Sequence, residues 1–143
     1  MRTATTRQPL KPGDNGFSLV TESWKFDDAP GTLTADAAIG QLRARIASEK
    51  LESWLTSSSC RLLAVVTNTE RAMVMLLDGE GDPGGHAVDP GADGLSDGFV
   101  LANGQNDEYP NEDTVPLPEA LRIVRHILIQ GNPPADAGWR VDR

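Results

Sequence analysis

The chain has 143 residues, 38% hydrophobic and 24% charged, which suffices for one ordinary globular domain and excludes wholesale disorder. Its net charge of −8 opposes binding to nucleic acid or to anionic membranes, and no apolar run is long enough for a membrane helix. The first 16 residues lack the apolar stretch of a secretory signal, and Cys60 has no second cysteine to pair with. We therefore expect a cytoplasmic protein without disulfides.

The N-terminal half of the chain predicts an arm, a strand and a helix. Residues 1–16 are polar and broken by proline and glycine, so we expect a flexible arm before a single domain over 17–143. A first short strand is predicted within residues 18–26. Thr34 is a good N-cap for a helix over about 35–50, whose apolar positions have helical spacing. Leu51, Trp54 and Leu55 continue that spacing and suggest that the helix extends by a turn or two.

The middle of the chain predicts strands and a long loop. Two apolar runs, 62–66 and 72–77, lie five residues apart and predict a central hairpin. Residues 78–97 are rich in glycine and aspartate and predict a long exposed loop with one short strand. Residues 98–102 and 105–109 flank Asn103-Gly104, the pair that favours a type I′ hairpin turn.

A second helix over about 118–130 is the clearest element. Pro118 suits its first turn, Glu119 favours the positive end of the helix dipole, and Gly131 followed by two prolines ends it. The elements together predict an α+β fold, with two main helices on one face of a mainly antiparallel sheet of about four to six strands.

The negative charge is concentrated in the middle of the chain. Residues 72–121 contain eleven acidic residues and no lysine or arginine, whereas both flanking segments are weakly basic. A segment of this composition attracts a basic partner. Tyr109, the single tyrosine, lies among four of these acids, where an aromatic anchor and charged neighbours are typical of a protein-binding edge. The predicted partner-binding residues are Asp107, Glu108, Tyr109, Glu112, Asp113, Asp89, Asp93 and Asp97. The alternative is an exposed loop whose charge only keeps the protein soluble.

Catalytic and metal-binding patterns are sparse. The two histidines, His86 in the glycine-rich loop and His126 in the last helix, and one cysteine are too few for a typical zinc site or an activated nucleophile. Asp78, Glu80, Asp82 and Asp89 have the alternating spacing of a calcium loop, but Pro83 replaces the glycine that such loops need. We expect no enzymatic activity, cofactor or metal. A calcium- or ligand-responsive acidic domain that uses the 78–89 loop is the alternative.

Three stretches near the C-terminal end carry a resemblance to a known family. They are residues 101–110 (LANGQNDEYP), 115–121 (VPLPEAL) and 131–134 (GNPP), followed by Trp139. In this order they resemble the Imm-one family of immunity proteins from bacterial polymorphic toxin systems. The resemblance implies that Asn103-Gly104 forms a turn, that Pro118 and Glu119 start a helix, and that Trp139 is a packing anchor.

The resemblance also implies a function. Immunity proteins of this family are antitoxins that bind a cognate toxin with a basic active-site cleft and block it. The toxin is often a nucleic-acid cytidine deaminase, an enzyme that accepts an extruded base beside a zinc-bound water. An acidic accessory protein for some other basic partner is a further alternative.

Overall fold

The computed structural model describes residues 22–142, which form an α+β domain. The predicted arm over 1–16 and the beginning of the predicted first strand lie outside the described residues. The strands are β1 (Trp24–Phe26), β2 (Glu52–Ser57), β3 (Leu62–Thr67), β4 (Arg71–Leu77), β5 (Gly85–Ala87), β6 (Leu95–Val100), β7 (Asn106–Pro110), β8 (Val115–Pro116) and β9 (Trp139–Val141). The helices are α1 (Ala35–Ala47) and α2 (Leu117–Gln130), and Asn111–Asp113 forms a short 3-10 turn.

Seven of these strands form one antiparallel sheet in the order β1-β2-β3-β4-β5-β9. The seventh, β8, pairs with the first two residues of β4, Arg71 and Ala72. The predicted hairpin of β3 and β4 is at its centre, where Val65 pairs with Val74. Strands β6 and β7 form a separate two-stranded hairpin. The predicted α+β class and antiparallel sheet are confirmed. The sheet has more strands than expected because the segment of β2 has helical apolar spacing and because β8 and β9 are too short to show an alternating pattern.

One face of the main sheet holds the hydrophobic core. Alternation along the strands puts Leu55, Leu63 and Val74 on that face, in one cluster with buried residues of both helices. Leu42 of α1 and Ile123 of α2 are both nearly inaccessible to solvent and belong to this cluster. Burial of such side chains stabilises each by about 1.5–3 kcal/mol relative to an exposed position.

The start of α1 is confirmed and its predicted extension is wrong. The Thr34 hydroxyl accepts a hydrogen bond from the Ala37 amide, as an N-cap does, but the helix ends at Ala47. Glu49 then adopts a positive φ of 66°, and the chain enters β2. The apolar spacing at 51, 54 and 55 is that of a helix. In β2, however, Leu55 is buried and Trp54 is half-buried on the opposite face, and pairing with β1 and β3 overrides the helical pattern.

The limits of α2 follow the predicted signals. Pro118 is in the first turn, and Gly131 ends the helix in the left-handed conformation with a φ of 87°. The face with Ala120, Val124 and Ile127 is buried. Arg122 and Arg125, on the opposite face of the helix, are exposed.

The β6–β7 hairpin forms as predicted, but with a different turn. The Gly104 amide donates to the Leu101 carbonyl over 2.8 Å, and the Leu101 amide donates to the Gln105 carbonyl over 2.8 Å. Gly104 has a φ of 89°, whereas Asn103 does not have a positive φ. A type I′ turn requires positive φ at both central residues, so the prediction of that turn is wrong; a three-residue loop with a left-handed glycine takes its place. The first hairpin strand also begins three residues earlier than expected, at Leu95.

Candidate functional site: the acidic hairpin and its surroundings

The β6–β7 hairpin lies over the sheet face opposite the helices, where β6 contacts β3. Its inner side contains Phe99, which is fully buried, and Tyr109, which is half-buried. The two rings meet edge to face with centroids 4.9 Å apart. Tyr109, predicted as an exposed anchor, therefore packs partly on the inner side, and its hydroxyl donates to the Asp107 carboxylate over 2.8 Å.

The position of Tyr109 raises the pKa of its hydroxyl group. Burial, followed by the hydrogen bond and negative charge of Asp107 and the charge of Glu52, raises the pKa of Tyr109 to about 12. Asp107 is the second predicted partner-binding residue on this side, and its carboxylate also accepts a hydrogen bond from the Gln105 side-chain amide over 2.6 Å. The carboxylate of Asp107 is thus engaged within the hairpin itself.

The other side of the hairpin is exposed along its whole length, and we call it the outer hairpin face. It consists of Leu95, Asp97 and Val100 from β6 and of Asn106, Glu108 and Pro110 from β7. Leu95 pairs with Pro110 at one end, and Val100 pairs with Asn106 at the other. Leu95 is 60% exposed and Val100 is 37% exposed, so apolar side chains border both ends of this face.

A bulge brings two of the predicted acidic residues together in the middle of the outer hairpin face. Ser96 pairs with Tyr109 and Phe99 with Asp107, so Asp97 and Gly98 both lie opposite Glu108. Gly98 has a φ of 85°, which other residues rarely adopt, and its amide donates to the Asn106 side chain over 3.2 Å. The carboxylates of Asp97 and Glu108 have no ion-pair partner within residues 22–142.

A second group of the acidic residues lies beside basic side chains, and we call it the paired acidic cluster. It contains the acids Asp89, Glu112, Asp113 and Asp142 and the basic residues Arg71, His86 and Arg140. The His86 ring was expected in a solvated loop, but its position in β5 makes its side chain only 13% exposed. One ring nitrogen lies 3.0 Å from Asp113 and the other 2.8 Å from Asp142.

Arg71 connects this cluster to the fold. Its guanidinium donates to the Asp89 carboxylate over 2.7 Å, to the Thr114 hydroxyl over 2.7 Å, and to the backbone carbonyls of Asn111 and Thr114. Arg140, from β9, lies 3.2 Å from Asp113 and 3.8 Å from Glu112. Three of the predicted partner-binding residues, Asp89, Glu112 and Asp113, thus have basic neighbours supplied by other parts of the chain.

The four predicted calcium ligands do not share one environment. Asp82 accepts a hydrogen bond from the Asp78 amide over 2.8 Å, and Asp78 lies 3.5 Å from Arg61. Glu80 is exposed, and Asp89 belongs to the paired acidic cluster. Within residues 22–142, no group of three or more His, Cys, Asp or Glu is placed to hold a metal ion.

The remaining candidate, Asp93, is exposed and precedes β6; its carbonyl accepts from the Asn111 side chain over 2.9 Å. The structure therefore divides the eight predicted residues into several environments, with Asp97 and Glu108 together, Asp107 and Tyr109 together, and three in the paired acidic cluster. Sequence reasoning missed Leu95, Val100 and the role of Arg71. The Leu95–Pro110 and Val100–Asn106 pairs become visible only when the register of the hairpin is known.

The comparisons with known proteins found no relative. No family model matches the chain, and neither a curated protein nor a solved structure is significantly similar to it. Among the helices in the described part of the chain, none has the length and apolar character needed to cross a membrane.

Proposed function

We propose that this chain is an immunity protein that binds a cognate bacterial toxin, a nucleic-acid deaminase, and blocks its active site without catalysis. The observation that carries the proposal is the exposed acidic surface of the β6–β7 hairpin, in a segment of fifty residues without lysine or arginine. The likeness of residues 101–139 to immunity proteins supplies the class of partner.

The physical basis of the inhibition is electrostatic and steric. A deaminase that acts on nucleic acid needs a basic groove for the phosphates and a pocket for the extruded base. A protein that presents exposed carboxylates is attracted to such a groove, and it competes with the substrate once it covers the entrance. The long-range field raises the association rate, and a few buried contacts supply most of the affinity.

If the gene immediately upstream of the one for this chain encodes a deaminase-like protein, that protein is the toxin for a direct test. The toxin is expressed alone and together with the chain, and cell survival is measured. In parallel, the conversion of cytosine to uracil in single-stranded DNA by purified toxin, a hydrolysis that releases ammonia, is measured with increasing amounts of the chain. We expect survival only on co-expression, and complete inhibition near one equivalent of the chain.

The control is an inactive toxin that lacks its general acid–base glutamate, which should still co-purify with the chain. Absence of both protection and inhibition, with the chain folded, contradicts the proposed function. A rise in melting temperature with Ca²⁺ that chelation reverses would instead favour the calcium-responsive alternative.

A further inference from the structure

Resting on the proposed function, we propose that the outer hairpin face is the toxin-contacting surface. It fits a partner that presents an apolar recess bordered by lysine or arginine. In this arrangement Leu95 enters the recess, and Asp97 and Glu108 meet the basic border. Tyr109 supports the surface from the inner side of the hairpin instead of anchoring the partner.

The apolar residues supply the first argument. Leu95 is the most exposed of the large hydrophobic side chains within residues 22–142, and Pro110 lies opposite it in the hairpin. Val100 is exposed at the opposite end of the same face. Contact with a partner removes these exposed apolar side chains from water, and this burial lowers the free energy of the complex.

The charges supply the second argument. Asp97 and Glu108 lie opposite each other across the bulge, and like charges in that position destabilise a strand pair. The nearby Asn68 side chain donates to the Asp97 backbone carbonyl over 2.9 Å, but it supplies no positive charge. A partner's lysine or arginine placed between the two carboxylates relieves this repulsion, so binding gains energy that the free protein lacks.

The third argument is that the hairpin is held in place before binding. Phe99 is fully buried beneath it, and Asn68 fixes its β6 strand through the Asp97 carbonyl. Near the turn, the Ala102 amide donates to the Glu52 carboxylate over 2.8 Å. A surface that is already ordered loses little conformational entropy when it binds.

The paired acidic cluster lacks these properties. Its carboxylates already have basic partners, so contact with a cationic protein requires those pairs to be exchanged or desolvated. It therefore contributes to the general field of the molecule, while the outer hairpin face provides the contacts.

The experiment compares three single variants of the chain, using the inactive upstream toxin as the probe. Glu108→Lys reverses a charge on the outer hairpin face, and Leu95→Ser removes the apolar contact. Glu80→Lys is the matched control, because it makes the same charge change at an exposed position in the β4–β5 connection. Its neighbour Gly79 lies near Cys60, at the other end of β3 from Asn68.

Association and dissociation rates are measured at two salt concentrations. We expect Glu108→Lys to weaken binding by roughly tenfold or more, mainly through slower association at low salt. Leu95→Ser should weaken binding by roughly tenfold through faster dissociation. Glu80→Lys should change the affinity by less than about threefold, because screening limits the reach of an exposed charge.

The outcomes separate the two proposals. If the parent chain does not bind the toxin, the proposed function fails. If the parent binds and both outer-face variants bind equally well, the inference about the surface is overturned while the proposed function stands. An equal loss for Glu108→Lys and Glu80→Lys also overturns it, since net charge alone would then explain binding. Far-UV circular dichroism verifies that each variant is folded.

Discussion

The acids of the outer hairpin face and three acids of the paired acidic cluster come from the same cation-free segment, yet only those of the cluster have basic neighbours in the folded chain. In the cluster, Asp89 lies 2.7 Å from Arg71, and Asp113 lies 3.2 Å from Arg140. Both arginines come from outside the segment. On the hairpin, Asp97 and Glu108 lie opposite each other without such a neighbour. The comparison shows that net charge along a sequence locates an acidic region but not the carboxylates available to a partner.

The two regions also differ in what their charges do for the fold. In the cluster, ion pairs and hydrogen bonds join β4, β5 and β9 to the segment before α2, so loss of a basic residue should destabilise the protein. On the hairpin, removal of a carboxylate removes a repulsion. Removal of a charged side chain should therefore have opposite effects on stability in the two places. The Arg71 and Glu108 variants below test this contrast.

Replacement of Arg71 should give the largest effect. Arg71→Met removes four hydrogen bonds from a largely buried guanidinium and leaves Asp89 and two backbone carbonyls without that partner. We expect a loss of about 3 kcal/mol in the free energy of unfolding, measured by urea denaturation. The control is Arg140→Met, whose side chain is 50% exposed and which should cost less than about 1 kcal/mol. Equal losses for the two variants would show that Arg71 is not central to the cluster.

Gly85→Ala should weaken the attachment of β9 beside the same cluster. A Cβ atom at Gly85 would overlap the indole nitrogen of Trp139 and would lie 2.9 Å from the Arg140 carbonyl oxygen, in the strand paired with β5. We expect a cost of about 2 kcal/mol, because the strand backbone cannot move freely. The control is Gly40→Ala in α1, which has open space around it and should stabilise the protein by up to about 1 kcal/mol. An unchanged unfolding free energy for Gly85→Ala would contradict the close packing of Trp139 on this glycine.

Glu108→Lys should stabilise the free protein even though it weakens toxin binding. The new ammonium group lies opposite Asp97, so a repulsive cross-strand pair becomes an attractive one. We expect a gain of about 0.5 kcal/mol in the free energy of unfolding at low salt, decreasing at high salt. Glu108→Gln should give a smaller gain, and Glu80→Lys should give almost none. A destabilised Glu108→Lys variant would mean that Asp97 and Glu108 do not repel each other.

The sequence predicted the elements whose signals are local. The start of α1 depends on the Thr34 side chain, and the end of α2 depends on the left-handed Gly131, so both could be located from single residues. The central strands β3 and β4 are continuous apolar runs and were also recognised. The prediction of a helix from Leu51 to Leu55 is wrong because the apolar spacing there is helical, whereas the strand is formed by pairing with β1 and β3, which lie elsewhere in the chain.

The arrangement of the candidate site could be predicted only in part. Its location in the 106–113 region followed from composition, but the partners of each carboxylate depend on contacts between distant residues. Asp113 meets His86, which is 27 positions away, and Arg71 meets Thr114, which is 43 positions away. The bulge at Asp97 and Gly98 also reverses which side chains share a face, so the exposure of Leu95 could not be read from alternation along the sequence.

The last prediction concerns the inner side of the hairpin and uses Tyr109 as its own reporter. Tyr109 is the single tyrosine, so tyrosinate absorbance at alkaline pH follows this hydroxyl alone. We expect titration with a pKa of about 12 in the folded protein. Because this pKa is raised above the ordinary value of 10.0, the neutral phenol's contribution to stability is complete below pH 10.0 and is lost as pH rises through about 12.

Asp107→Asn should lower the pKa of Tyr109 but keep it above 10.0, since burial is the larger cause and remains in place. Glu108→Gln, on the opposite side of the strand, is the matched control and should leave the titration almost unchanged, because the Tyr109 hydroxyl bonds Asp107 instead. If the parent protein titrates near 10.0, Tyr109 is exposed like the outer residues. That result would restore Tyr109 as a direct anchor for the toxin, because the distinction between an inner supporting side and an outer binding side would no longer hold.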